Sequence, residues 1–177
     1  MHFPFVSLSR ISSAPQAELS CLIRSGKVGN IDRALLPPCG LYCGVCGIYI
    51  ATKENNQKFK EKLAPVYNVS PGQIHCMGCM SDDVFVLCQI CPIKTCAREK
   101  EYEACHQCKG FPCSNILEFP YPVGRKVMLR ALPQWRELGA EKWVDAEIKR
   151  YICPSCGHKL FRGAKRCNHC LQSVDRD

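Results

Sequence analysis

The chain has 177 residues and a formal charge of +8, and 16 of its residues are cysteines. The charge counts each cysteine as a neutral thiol, whereas a divalent ion held by four thiolates carries a local charge of −2. Four such sites would bring the total to about zero, so the composition does not establish a general nucleic-acid-binding surface. No apolar run has the ~18 residues that a membrane span needs, so no membrane partner is predicted.

Residues 1–37 are predicted to be an N-terminal extension, with a composition compatible with disorder. They contain no closely spaced cysteine pair, and Cys21 is interpreted as an ordinary thiol. Their start lacks the apolar run of a secretory signal, which predicts a cytoplasmic protein without disulfides. Because no methionine lies between Met1 and Met77, a second hypothesis is that translation begins near Val28.

Residues 38–122 are predicted to form a Cys-rich metal-binding domain. Two thiolates separated by two residues can hold one ion from a single tight turn, and this spacing recurs in zinc and iron sites. Aliphatic residues are few for the length of the segment, so metal is predicted to substitute for a missing core. The predicted ligands are Cys39, Cys43, Cys46, Cys76, Cys79, Cys88, Cys91, Cys96, Cys105, Cys108 and Cys113.

Eleven thiolates do not divide into complete sets of four. One histidine would complete three tetrahedral sites, and either His75 or His106 could supply it, since each lies beside or within a Cys-x2-Cys pair. The spacing leaves open which sulfurs share an ion.

The secondary structure predicted in this domain is short. A charged segment without glycine or proline predicts a helix over residues 48–63, although Asn55 and Asn56 weaken its middle. Residues 84–87 predict a short strand, and residues 95–104 predict a short helix.

A helical connector is predicted over residues 123–151. Its two helices, over residues 125–136 and 140–151, are expected to separate near Pro133 and Gly139. The two tryptophans of the connector are interpreted as core residues, because aromatic side chains contribute large burial energies in small proteins.

Residues 152–177 contain a second, complete metal-binding pattern. Two Cys-x2-Cys knuckles supply four sulfurs for one tetrahedral ion, and Gly157 suits a position with positive φ. The pattern resembles short zinc ribbons, which are β-hairpin modules closed by one zinc. The predicted ligands are Cys153, Cys156, Cys167 and Cys170, with His158 and His169 as bystanders.

The loop over residues 158–166 is basic and contains Phe161, so it could bind nucleic acid by stacking. The interpretation that we favour is a solvated hairpin whose positive charge offsets the thiolates.

The motif Pro-Cys-Gly-Leu-Tyr-Cys-Gly-Val-Cys at 38–46 is followed by Cys-Met-Gly-Cys at 76–79 and Cys-His-Gln-Cys-Lys-Gly-Phe-Pro-Cys at 105–113. Together these motifs resemble an uncharacterised bacterial and archaeal family, domain of unknown function three-seven-nine-five, over about residues 38–120. The resemblance implies a prokaryotic, cytosolic, zinc-binding protein. It implies no reaction and no catalytic residue.

The Cys-x3-Cys-x2-Cys spacing of Cys39, Cys43 and Cys46 is also similar to that of radical SAM enzymes, in which three cysteines hold a [4Fe-4S] cluster. Here the next pair follows after only 29 residues, which leaves no room for the barrel of those enzymes.

These observations predict a small metal-stabilised α+β protein with an irregular, helix-containing Cys-rich domain, a helical connector and a β-hairpin zinc ribbon. Three to four Zn²⁺ ions are expected, with a [4Fe-4S] cluster in the 39–113 block as the alternative. No Ser-His-Asp set, open histidine-rich site or phosphate-binding glycine loop is present, which favours a binding or scaffold protein with an unknown protein partner over an enzyme. An iron-sulfur redox protein and a nucleic-acid-binding protein are the rival functions.

Overall fold

The computed structural model describes residues 27–28 and 31–177, and this part of the chain is rich in short helices. Strands β1 (Lys27–Val28) and β2 (Ile31–Asp32) form a two-stranded antiparallel sheet. The helices that follow are α1 (Gly47–Lys53), α2 (Gln57–Tyr67), α3 (Val86–Gln89), α4 (Pro92–Glu99), α5 (Ser114–Leu117) and α6 (Pro122–Arg150). The balance of elements is therefore helical, with less strand than the predicted α+β class implies.

The single helix predicted over residues 48–63 is wrong, because the chain breaks between α1 and α2. Asn55 adopts a positive φ of 46°, which ends α1. The side chain of Asn56 then accepts a hydrogen bond of 3.0 Å from the backbone N–H of Phe59 and caps α2. Asparagine is favoured at both kinds of position, so the weak middle of the predicted helix is a turn with its own capping chemistry.

Two further predictions in the Cys-rich region need correction. The predicted strand over residues 84–87 is wrong, because α3 begins at Val86 and Phe85 points into the core with 3% exposure. The predicted helix over residues 95–104 begins earlier, since Pro92 occupies the first turn of α4, where its fixed φ suits a helix.

Helix α6 folds back on itself at Gly139, which has φ 74° and ψ 165°. The rings of Trp135 and Trp143 stack with their centroids 4.2 Å apart and their planes at 4°. Eight residues of continuous helix would separate them by about 12 Å, so the two halves must form a hairpin. The predicted burial of both tryptophans and the predicted break near Gly139 are confirmed, whereas Pro133 lies within the helix.

A buried ion pair joins the two arms of this hairpin. Glu147 is fully buried, and its two carboxylate oxygens accept hydrogen bonds of 2.5 and 3.0 Å from the guanidinium of Arg130. The bidentate geometry satisfies a charge that would be costly to bury alone.

One apolar core extends from β2 to the C-terminal region. It contains side chains of the Cys-rich region, of both arms of α6 and of the C-terminal region, and representative members are Leu35, Tyr42, Met128, Trp143, Leu160 and Val174. A smaller second core lies between α1 and α2 and includes Ile48, Ala51, Leu63, Ile74 and Phe85. The C-terminal region therefore shares one core with α6 and the Cys-rich region.

The predicted β-hairpin ribbon at the C-terminus is not observed. Residues 152–177 form two tight turns, with single antiparallel bridges between Ile152 and Lys159 and between Arg166 and Ser173. Each bridge encloses one cysteine pair, so the pairing is confined to the two turns. None of the helices in the described part of the chain has the length and apolar character to cross a membrane.

Candidate metal centre

The four cysteines of the C-terminal region come together at one point. The sulfurs of Cys153, Cys156, Cys167 and Cys170 all lie within 4.8 Å of one another. Two of the distances, Cys153 to Cys170 and Cys156 to Cys167, are 3.7 Å. Zn–S bonds of about 2.3 Å in a tetrahedron place neighbouring sulfurs about 3.8 Å apart, so this donor set fits a tetrahedral metal ion.

The two cysteine pairs of this cluster are held by the same backbone pattern. The N–H of Gly157 donates to the carbonyl of Cys153 at 2.9 Å, and the N–H of Leu171 donates to the carbonyl of Cys167 at 3.0 Å. Gly157 has φ 70°, as its sequence position predicted, and Leu171 adopts φ 62° at the equivalent place. Each turn therefore presents its two sulfurs from one short segment.

Hydrogen bonds around these sulfurs shift the pKa values of the four thiols in different directions. Burial opposes ionisation of Cys153, but N–H groups of Ser155 and Cys156 donate to its sulfur and lower its pKa to about 6. The N–H of Cys170 likewise lowers the pKa of Cys167. Although the N–H of His158 favours its thiolate, hydrogen bonds to the other sulfurs raise the pKa of Cys156 to about 12. These hydrogen bonds therefore favour the thiolates of Cys153 and Cys167, the form in which cysteine binds a metal ion.

The two histidines of this region lie together outside the four-sulfur cluster. The rings of His158 and His169 stack with their centroids 5.3 Å apart and their planes at 14°. Four sulfurs already complete a tetrahedron, so neither ring is needed as a ligand.

The eleven cysteines of the 39–113 block are spread over a larger volume. Among the described residues, the C-terminal cluster is the only group of three or more metal-binding side chains whose donor atoms lie within 4.8 Å of one another. All fifteen cysteines in the two predicted blocks are free thiols rather than disulfides. Their role as ligands in the 39–113 block stays a prediction, but their surroundings divide them into three neighbourhoods.

The first neighbourhood lies in the main core. Cys39, Cys43 and Cys79 are buried there, Cys91 packs against the same core, and the backbone N–H of Cys79 donates to the sulfur of Cys43 at 3.3 Å. Burial, followed by the nearby thiol of Cys79, raises the pKa of both Cys39 and Cys43. Burial also raises the pKa of Cys79 to about 11, although the ammonium of buried Lys94 opposes the shift.

The second neighbourhood lies in the smaller core. Cys76 is buried within that core, and Cys46 and Cys88 pack against the core. The N–H of Gly78 donates to the sulfur of Cys76 at 3.4 Å. Burial and then the thiols of Cys79, Cys46 and Cys76 raise the pKa of Cys88. Cys79 therefore lies between the first two neighbourhoods.

The third neighbourhood is nearer the surface, and it contains Cys96, Cys105, Cys108 and Cys113. Burial and then the thiols of Cys113, Cys96 and Cys108 raise the pKa of Cys105 to about 11. These four residues are all partly exposed. Their number alone would complete one tetrahedral site.

The two histidines considered as additional ligands have different surroundings. The ring nitrogen Nε2 of His75 lies 2.6 Å from a carboxylate oxygen of Asp83, in an exposed pair. The ring of His106 packs edge-on against Trp135, and its Nε2 is buried without a hydrogen-bond partner. Burial and then the guanidinium of Arg136 lower the pKa of His106, which favours the neutral ring.

Comparison with known protein families identifies the Cys-rich region. Residues 35–118 match the family described as "Protein of unknown function (DUF3795)", the family whose cysteine motif the sequence resembles. Residues 35–118 are called the DUF3795 domain after this match. No curated protein and no solved structure matches the chain.

The structure also adds a residue that sequence reasoning did not select. Arg162 lies in the loop between the two C-terminal cysteine pairs, yet its guanidinium Nη2 donates to the carbonyl of Tyr42 in the DUF3795 domain at 2.6 Å. Its backbone N–H donates to the carbonyl of Val45 at 2.8 Å. The basic character of the loop was visible in the sequence, but nothing local indicated that Arg162 bonds to the backbone of residues 42–45.

Proposed function

We propose that this chain is a zinc-binding protein whose C-terminal module is a minimal zinc ribbon without paired strands, closed by one structural Zn²⁺ ion. The observation that carries the proposal is the convergence of Cys153, Cys156, Cys167 and Cys170, with sulfur separations of 3.7 Å that suit a tetrahedral ion. Four thiolates fill the coordination of zinc and leave no open position, which is typical of a structural site.

We further propose that the DUF3795 domain binds two or three zinc ions through its eleven cysteines, for a total of three to four. Its thiols are free, and the neighbourhoods of Cys39 and of Cys76 lie within apolar cores that would suffer from unpaired thiolates. A divalent ion resolves that conflict because it neutralises part of the thiolate charge. Free thiols in this number also suit a reducing compartment such as the cytoplasm.

The function that best fits these features is a binding or scaffold module for another protein. The side chain of Ile90 is 82% exposed and that of Leu87 is 39% exposed, and both lie beside cysteines of the DUF3795 domain. Exposed aliphatic residues held on a rigid metal-stabilised turn provide a surface for a protein partner.

A nucleic-acid ligand at the C-terminal loop has less support. The ring of Phe161 packs against Phe59 with their centroids 4.9 Å apart, so it is engaged within the protein rather than displayed for base stacking.

Metal analysis tests the proposal. Protein purified without oxygen should contain three to four zinc ions per chain by elemental mass spectrometry and should lack visible absorbance. Stoichiometric iron and sulfide, with absorbance near ~400 nm from thiolate-to-iron charge transfer, would show an iron-sulfur protein instead. The C156S variant should lose one zinc, whereas C21S, which changes the cysteine outside both blocks, should keep the full content.

A further inference from the structure

A cavity of about 290 Å³ lies where the two arms of α6 meet the last residues of the C-terminal region. A water molecule occupies about 30 Å³ in the liquid, so the cavity is large enough for a small ligand rather than a single ion. The charged side chains that line it are Lys126 and Arg130 of the first arm, Arg150 of the second arm, and Asp175, Arg176 and Asp177. Val127 is the apolar residue of the lining, which is therefore polar and rich in cations.

Two of the four cations are already held by a buried carboxylate. Glu147 accepts hydrogen bonds of 2.5 and 3.0 Å from the guanidinium of Arg130. The Nε of Arg150 lies 3.8 Å from an oxygen of the same carboxylate. Arg130 and Arg150 therefore form a fixed wall of the cavity, with most of their charge offset.

The two aspartates of the lining do not neutralise the other two cations. The carboxylate oxygens of Asp177 accept hydrogen bonds from the backbone N–H of Gly163 and from the hydroxyl of Tyr151. Asp175 is exposed to solvent. Within the part of the chain that the structure describes, neither aspartate forms an ion pair with a lysine or an arginine.

Lys126 and Arg176 therefore carry the positive charge that remains available to a ligand. Among the described residues, neither of them pairs with a carboxylate. The guanidinium of Arg176 has five N–H donors, of which one on Nη2 donates to the carbonyl of Ile152 at 3.3 Å, whereas its Nε is buried without a hydrogen-bond partner. Unsatisfied donors on a charged group are costly inside a protein, so this site favours a ligand that supplies acceptor oxygens.

We propose that this cavity binds the phosphate group of a small polar molecule. A phosphate monoester carries a charge of about −1.5 to −2 near neutral pH, which matches the two unpaired cations, Lys126 and Arg176. The planar guanidinium can donate parallel hydrogen bonds to phosphate oxygens, and the ammonium provides a point charge. Because the cavity is larger than a phosphate group and almost free of apolar side chains, the rest of the ligand is expected to be polar.

The shape of the site favours this ligand over a nucleic acid. The cations come from three segments of the chain and line one cavity, instead of following an exposed groove along which a phosphate backbone could run. The lining includes no cysteine, so ligand binding here is a function separate from the proposed metal sites.

NMR titration of the full chain tests this site. The ¹⁵N-labelled protein receives either inorganic phosphate or glycerol 3-phosphate, with the ionic strength held constant by sodium chloride. The amide resonances of residues 126–127, 150 and 175–177 should shift along a saturable curve with both probes. Glycerol 3-phosphate should bind more tightly than phosphate, because its polar remainder contacts more of the lining. No saturable shift with either probe would overturn the proposal.

Variants of the two unpaired cations identify the residues that bind the probes. K126M removes an exposed charge, and we expect roughly fivefold weaker binding, the upper range for an exposed ion pair. R176M removes a guanidinium and should weaken binding at least about tenfold. The matched control is K149M, which changes an exposed lysine of the second arm that does not line the cavity. Equal affinity in K126M, R176M and K149M would show that the cavity is not the binding site.

Two further measurements complete the test. R176K keeps the charge but loses the planar fork, so its affinity should lie between those of R176M and the wild-type protein. If R176M fails to fold, K126M compared with K149M decides the question, because both changes are at exposed positions. A short single-stranded DNA is the competing probe. Shifts of the same amides at a lower concentration of DNA than of glycerol 3-phosphate would assign these cations to nucleic acid and overturn the small-molecule ligand.

Discussion

The two cysteine-rich regions of this protein differ in how far apart along the chain their neighbouring cysteines lie. In the C-terminal module, two turns with the same backbone hydrogen bonds bring four sulfurs within 4.8 Å of one another. In the DUF3795 domain, the hydrogen bond between the N–H of Cys79 and the sulfur of Cys43 joins residues 36 positions apart. The first arrangement is local, and the second depends on the complete fold.

This difference has an electrostatic counterpart. Backbone N–H groups lower the pKa of Cys153 to about 6, whereas burial raises the pKa of Cys79 to about 11. The C-terminal site obtains its stabilising dipoles from its own turns. In the DUF3795 domain, the ammonium of Lys94 opposes the effect of burial on Cys79.

Loss of the C-terminal metal should have the largest effect. In C167S, one ligand of the site is removed at a position that is fully buried, so we expect one zinc fewer per chain. A structural zinc contributes roughly 10–16 kcal/mol of apparent binding free energy in small domains, so residues 152–177 should unfold. Zinc analysis and chemical denaturation measure both results. The C21S variant is the control, and full zinc content in C167S would contradict the prediction.

Acidification should remove metal from the DUF3795 domain first. Below pH 8, each thiol with a raised pKa, such as Cys79 or Cys105 at about 11, must release a proton to bind metal, so affinity falls about tenfold per pH unit for each such ligand. Cys153 stays ionised until the pH approaches 6, which makes the C-terminal dependence shallower. Titration of ¹¹³Cd-loaded protein from pH 8 to pH 6 follows each site. If the C-terminal resonance disappeared at a higher pH than the resonances of the DUF3795 domain, the prediction would be wrong.

Breaking the ion pair of α6 should destabilise both regions together, because both pack on this helix. In R130M, the fully buried carboxylate of Glu147 loses its bidentate partner, and we expect a loss of about 3–5 kcal/mol in the free energy of unfolding. The exposed Lys126 of the same helix gives the control K126M. Chemical denaturation should show that the double variant R130M/E147M recovers much of the lost stability. If R130M were as stable as the wild-type protein, the ion pair would have no stabilising role.

The smallest effect is expected at the tip of the α6 hairpin. Gly139 has φ 74° and ψ 165°, a conformation that an L side chain rarely adopts, so G139A should cost about 1–3 kcal/mol of stability. A methyl group meets no neighbouring atom within 4 Å, so the cost is purely conformational. Thermal unfolding measures it, with K142A at an exposed helical position as the control. An equal melting temperature for both variants would contradict this explanation.

The C-terminal cluster could be predicted from the sequence because the cysteine spacing within each turn places two sulfurs together. The spacing of Cys153 and Cys156, followed by Gly157, specifies one cysteine turn without reference to the rest of the chain. Paired strands were inferred from the resemblance to zinc ribbons, whereas the structure has one isolated bridge around each cysteine turn.

The DUF3795 domain shows what local patterns leave out. The family could be recognised from the sequence, and so could the break at Gly139 outside the domain. The grouping of the domain's cysteines depends on contacts between distant segments. The helix over residues 48–63 was overextended because Asn56 acts as a cap rather than as a weak helical residue. The inward position of Arg162 depends on the fold of two regions at once, which no single-segment pattern encodes.

The helical hairpin of α6 also constrains how the length of this protein can change. Each residue added within an arm would rotate everything beyond it by about 100° and would separate the stacked rings of Trp135 and Trp143. A residue added beside Gly139 would enlarge an open tip and leave both arms in register. Related chains that differ in connector length should therefore carry their insertions and deletions at this tip, with the spacing along each arm preserved.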